Sequence, residues 1–160
     1  MLGVKKLIAV VAALCVSSVA YAEKEIVGAF GVRLGGSVDE RFVLIGEDSR
    51  GWLRYTFKPD KPHEYFADYR VSVTFSGSVF EISAEKYSDH KHECLAREHL
   101  LERAIEEKYG TPSLHDTRRV IAICWHEPES NKWRLMVRYW DSVLWAKSTE
   151  EKIEAIEDQL

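Results

Sequence analysis

Two cysteines and two histidines in this chain have the spacing of a site. His90 and Cys94 are four residues apart, one turn along a helix. Cys124 and His126 are two apart, on one side of a strand. If those faces meet, His90, Cys94, Cys124 and His126 form a tetrahedral zinc ligand set. The same approach brings Cys94 and Cys124 together as a disulfide, which uses up the thiolates that a metal needs. The compartment decides between them, because oxidising spaces favour the disulfide.

The first residues name that compartment. Lys5 and Lys6 form a positive start, and Leu7 to Val16 is an apolar run too short to span a bilayer comfortably. Ala20-Tyr21-Ala22 offers the small-x-small pattern that a signal peptidase cuts after. The expectation is a cleaved signal peptide over 1–22 and one α+β domain over 23–160, in the periplasm or secreted. A lipoprotein cut at Cys15 fits poorly, because Leu14 stands where a small residue is needed. Cleavage removes Cys15 and leaves Cys94 and Cys124 as one possible pair. The prediction is therefore a Cys94–Cys124 disulfide, with the four-residue metal set as the alternative.

Other residues suggest weaker chemistry. Asp89-His90-Lys91-His92-Glu93 is a surface copper or zinc candidate, or a polar helix start. His63-Glu64, His92-Glu93 and His126-Glu127 do not continue into a zincin motif. The chain has no G-x-S-x-G, no phosphate-binding glycine loop, no dinucleotide fingerprint and no C-x-x-C. Four of its five tryptophans, Trp125, Trp133, Trp140 and Trp145, cluster late. Alternation along that strand puts Trp133, Leu135, Val137 and Tyr139 on one face as core. Arg134, Met136, Arg138 and Trp140 fall on the other. Cations beside an aromatic suit an exposed binding surface, so Arg134, Arg138 and Trp140 are the binding candidates.

These residues need elements to hold them. Glycines 28, 31, 35 and 36 predict turns. Ser37 and Glu40 have capping-box spacing for a short helix from Val38 to about Leu44, stopped by Gly46. A strand over Arg41–Ile45 is the alternative. Trp52–Lys58 reads as a half-buried strand. Tyr69–Phe75 and Val79–Ala84 read as a hairpin about Ser76-Gly77-Ser78. The spacing predicts a helix between Ser88 and Gly110, capped by Ser88 or Asp89. Leu95, Leu101, Ile105 and Tyr109 form its buried face, with Leu100 and Ala104 beside it, and Gly110 and Pro112 stop it. Arg119–His126 and Trp133–Trp140 form a second hairpin. Residues 141–147 are open between helix and strand. Ser148 and Glu151 predict the start of a tail helix with Ile153, Ile156 and Leu160. The fold class is α+β: an antiparallel sheet of hairpins against one long central helix, with a C-terminal helix.

Phe30-Gly31-Val32-Arg33-Leu34-Gly35-x-Ser37-x-x-Glu40, with Gly46 beyond, resembles the opening of small exported bacterial proteins. BamE-like outer-membrane assembly lipoproteins and BLIP-like α+β domains begin similarly, and Lys108-Tyr109-Gly110 resembles a helix end in such envelope proteins. The resemblance implies a compact envelope domain that works by contact. It carries over no catalytic residue, and this chain lacks the lipidated cysteine of the BamE-like proteins.

Composition limits the partners. A hydrophobic share of 46% marks a chain that folds rather than one that stays disordered. Losing two lysines with the signal takes the formal charge from −4 to −6. An acidic domain is a poor ligand for nucleic acid or anionic lipid, and no apolar stretch beyond the signal is long enough to span a membrane. The reading is a non-catalytic binding or envelope-associated domain with one disulfide and no cofactor, its partner another envelope protein or cell-wall glycan. The alternatives are an envelope hydrolase using histidines and carboxylates, and a zinc or copper protein using His90, His92 and His126.

Overall fold

The computed structural model describes residues 25–157 except 112 and 114. The predicted signal over 1–22, with Cys15 and the cut site, lies outside the described residues. So do Pro112 at the helix stop and Leu160 at the tail.

The chain begins with a small hairpin, β1 (Gly28–Ala29) and β2 (Val32–Arg33). Its two-residue loop, Phe30-Gly31, has positive φ at both positions, the hairpin turn whose twist matches paired strands. Phe30 accepts the left-handed conformation because its ring edges onto Phe66, Tyr69 and Tyr139 at 5.1–6.1 Å. Gly28 is required by close approach: a Cβ there would lie 2.1 Å from the Val32 carbonyl oxygen. Gly28→Ala must open this hairpin and lift Val32 and Leu34 from the core. The expected cost is roughly 2 kcal/mol in urea unfolding. An unchanged midpoint would mean that the hairpin does not form.

Six strands then build one antiparallel sheet: β3 (Phe42–Glu47), β4 (Leu53–Phe57), β5 (Asp68–Val73), β6 (Val79–Ser88), β7 (Arg118–Glu127) and β8 (Lys132–Asp141). Their order is β3-β4-β5-β6-β8-β7. The sheet, with α1 (Lys91–Tyr109) and α2 (Ser142–Glu157), makes an α+β fold. Both predicted hairpins form, β5–β6 through Gly77 and β7–β8 through Asn131, each at positive φ. β8 inserts between β6 and β7, so β6–α1–β7 is a split crossover over an antiparallel strand. Among the described residues no helix is long and apolar enough to cross a membrane.

One sheet face carries the core. Val71, Val73, Ile82, Ala84, Val120, Leu135 and Val137 are buried there with Cys94 of α1. Trp133 and Tyr139 pack against them, as the alternation of β8 predicts. Burial pushes the Tyr139 phenol up to about 12, with the charge of Tyr109 adding to it.

Four local expectations need correction. Of the two readings for 38–45, the capped helix from Val38 to about Leu44 does not form and the alternative strand does, as β3. Ser37 instead bridges to Ser78, Asp39 Oδ1 accepts from Arg41 N at 2.9 Å in a turn, and the segment continues as the strand β3. His90 takes the N-cap of α1; Ser88 Oγ, at 2.8 Å from Glu93 Oε2, accepts from His90 N instead of capping. On α1, Leu100 is 52% exposed and Ala104 is exposed, while Leu101, Ile105 and Tyr109 pack on the core. The fourth correction concerns α2, which starts directly after β8 rather than at Ser148. Asp141 Oδ1 accepts from Val143 N and Leu144 N at 3.0 and 3.1 Å, capping the helix seven residues earlier. Ser148 is wholly buried inside it.

A bulge in β6 sets how α2 lies. Ser72 pairs with Glu81 and Val73 with Val79, so Phe80 is the extra residue. The bulge turns Phe80 out of the main core cluster and onto Trp52, which meets Trp145 of α2. This aromatic group roofs one end of the second sheet face.

Candidate binding face of the sheet

The second face is read from the register. Arg54, Ser72, Glu81, Trp140 and Arg119 form one cross-strand row. Thr56, Arg70, Ser83, Arg138 and Ile121 form the next. Glu85, Met136 and Ile123 follow, then Tyr87, Arg134 and Trp125. The predicted binding residues Arg134, Arg138 and Trp140 therefore do share a face, and strands β4 to β6 bring it more arginines and, besides Asp68, the carboxylates of Glu81 and Glu85.

Those carboxylates organise the cations. Glu85 is only 2% exposed and lies between Arg70 and Arg134, one carboxylate oxygen toward each. Arg134 also reaches Glu127 at 3.5 Å. Its guanidinium stacks over Trp125 at 4.8 Å and Tyr87 at 5.6 Å. Burial raises the Tyr87 phenol pKa, while the Arg134 charge pulls it down. Arg134 is therefore a supporting member, only 18% exposed. Arg138 is different: Glu81 Oε2 accepts from its Nε at 2.8 Å, Trp140 lies beneath it at 5.6 Å, and 40% of the side chain faces solvent. It is held in one pose while still available.

Between these residues is an open depression of about 580 Å³. Ser72 and Ser83 are its buried floor, and Arg54, Arg138, Trp125 and Trp52 stand around it. At its rim Arg50 covers the Trp52 ring at 5.3 Å. Trp52, Trp125 and Trp140 thus each carry a guanidinium over the ring. The site presents four arginines, Arg50, Arg54, Arg134 and Arg138, with serine hydroxyls and with the carboxylates of Glu47, Asp48 and Glu81 among them, and not bare aromatic platforms.

The cysteine prediction resolves as the disulfide. Cys94 and Cys124 are bonded, with Cα atoms 5.9 Å apart, pinning the first turn of α1 to β7. One turn further along α1, Glu98 Oε1 accepts from the Cys124 backbone N–H at 2.9 Å. The alternative metal set thereby loses both sulfurs. Its histidines have other neighbours: His90 stacks on His92 at 5.7 Å, and His126 meets Trp133 and Asn131. Among the described residues no three His, Cys, Asp or Glu side chains are grouped to hold a metal ion. His63 lies in the β4–β5 loop against Tyr65, and His99 pairs with exposed Glu102.

Sequence reading missed Glu81, Glu85 and Glu98. For the first two a signal existed, since Glu81, Ser83, Glu85 and Tyr87 are polar at every second residue of a strand. Compared with known proteins, the chain matches no family model, no curated protein and no solved structure.

Proposed function

We propose that this is an exported domain that binds, without catalysis, a carboxylate-bearing segment of another exported protein on the open sheet face. One observation carries the reading. Trp52 and Trp125, which line the depression, are covered by Arg50 and Arg134, and Trp140 on the same sheet face is covered by Arg138. A neutral glycan would need those ring faces for stacking. A carboxylate needs guanidinium groups already held in place, and Arg138 on Glu81 and Trp140 is one. Arg54, at the wall, adds a second cation to a protein whose overall charge is negative. The disulfide and the signal-like start support an oxidising address.

Tryptophan fluorescence of the purified protein, titrated with a glutamate-rich peptide, tests this. The expected result is saturable binding that weakens as salt rises. Arg138→Glu with Arg54→Glu should weaken it by about tenfold or more without changing the melting temperature by more than a few degrees. Equal or tighter binding of a neutral cell-wall oligosaccharide, unaffected by these changes, would refute the proposal.

A further inference from the structure

On the open face Arg70, Arg134 and Arg138 already have carboxylate partners. Arg54 is the exception. It is half-buried at the wall of the depression, and among the described residues its guanidinium has no hydrogen bond, ion pair or ring partner. The register gives the reason: its cross-strand neighbours are Gly46 on β3 and Ser72 on β5, and neither carries a charge. A cation taken partly out of water without a counter-charge is unfavourable, and a bound anion relieves it. Two hydroxyls nearby are also unpaired. Ser72 and Ser83 are only 5 and 6% exposed, both line the depression, and neither hydroxyl has a partner among the described residues. Thr56 on the same face differs, because its hydroxyl donates to the Tyr69 carbonyl at 3.0 Å.

We infer that Arg54, Ser72 and Ser83 together grip a single carboxylate of the partner segment, and that the depression selects a singly charged acid over a phosphoryl group. This rests on the carboxylate-binding reading above, and adds which residues make the contact and how many acids are read. The register supports the grip. Ser72 and Ser83 are diagonal neighbours across β5 and β6, about 7–8 Å apart along the backbone. One carboxylate, accepting from a hydroxyl on each side at about 2.7 Å, can bridge that gap. Arg54 lies beside Ser72, and Arg138 beside Ser83 closes the far side. Charge sets the selectivity. Four arginines and three carboxylates line the depression, a surplus of one positive charge that one carboxylate balances. A phosphoryl group, at about −1.5 to −2 near neutral pH, exceeds the surplus and is repelled by the carboxylates of the depression itself.

Titration of the purified, disulfide-intact protein with short peptides, read by tryptophan fluorescence, tests the inference. One peptide carries a single glutamate between blocked termini, and a second has its free C-terminus as the only carboxylate. At least one should bind within about fivefold of the glutamate-rich peptide, and the tighter of the two identifies the source of the acid. Phosphoserine in place of the single glutamate should bind more weakly. Ser72→Ala with Ser83→Ala should weaken the single-acid peptide by roughly tenfold or more, as should Arg54→Gln. Arg54→Gln should also leave the melting temperature undiminished, because no folded-state partner is lost. The inference is overturned, with the broader reading intact, if the glutamate-rich peptide binds but neither single-acid peptide does. It is overturned in the same way if Arg54→Gln and the serine pair leave binding unchanged, or if phosphoserine binds more tightly. Failure of every acidic peptide to bind would overturn both.

Discussion

Glu85→Ala is expected to cost roughly 3–5 kcal/mol, the largest loss of any single substitution on the open face. The carboxylate is 2% exposed and is the shared partner of Arg70 and Arg134, themselves 27 and 18% exposed. Removing it leaves two partly desolvated cations side by side. Like-charge repulsion then adds to the lost attraction. Glu127, at 3.5 Å from Arg134, recovers only a little of this. By contrast Glu81→Ala should cost under about 1 kcal/mol, since its partner Arg138 is 40% exposed and water can replace the carboxylate. Urea unfolding of the two variants checks the contrast. Equal small losses would mean that the Glu85 network is not formed as described.

Removing the disulfide ranks beside it. Cys94 and Cys124 are 30 residues apart. Cross-linking a loop of that size removes unfolded-chain entropy worth about 3–4 kcal/mol. Cys94→Ala with Cys124→Ala should therefore lower the melting temperature by roughly 10 °C. The effect centres on α1, whose buried face is narrow: Cys94, Leu101, Ile105 and Tyr109. Calorimetry of the double variant gives the number. Two free thiols and stoichiometric zinc in protein purified without reductant would contradict the disulfide and revive the His90, Cys94, Cys124, His126 site.

What was readable in the sequence divides by distance along the chain. Gly77 and Asn131 supply positive φ at the two hairpin turns, so those pairings follow from local chemistry. Alternation along β8 sorted Leu135 and Val137 from Arg134 and Arg138 correctly. The pairing of β6 with β8 was not readable, because it joins Glu81 to Trp140 across a whole helix and hairpin. Without it the arginines have no carboxylates and the face has no floor. The disulfide followed from two expectations, an oxidising compartment and the loss of Cys15 with a cleaved signal, which together leave one pairing. Both capping boxes failed for one reason. Spacing shows that a cap is possible, but Ser37 had a strand partner in Ser78, and Asp141 stood ready upstream of Ser148.

β6 emerges as the element that links structure to function. Its Ile82 and Ala84 fill the core, its Glu81 and Glu85 set the arginines, and its bulged Phe80 seats α2. Arg134 and Arg138 are each held by a carboxylate and a ring, Glu85 with Trp125 and Glu81 with Trp140, which leaves them few alternatives. Such preorganisation lowers the entropy lost on binding.

The central claim is that this arginine face receives acidic partner segments. Backbone and indole NMR shifts of the disulfide-intact protein, followed while a glutamate-rich peptide is added, test it most directly. The predicted result is saturating shifts at Arg54, Ser72, Ser83, Arg138 and the indoles of Trp125 and Trp140, with the outer side of α1 silent. Saturating shifts confined to α1 or to the β1–β2 hairpin would contradict the account, as would none at all.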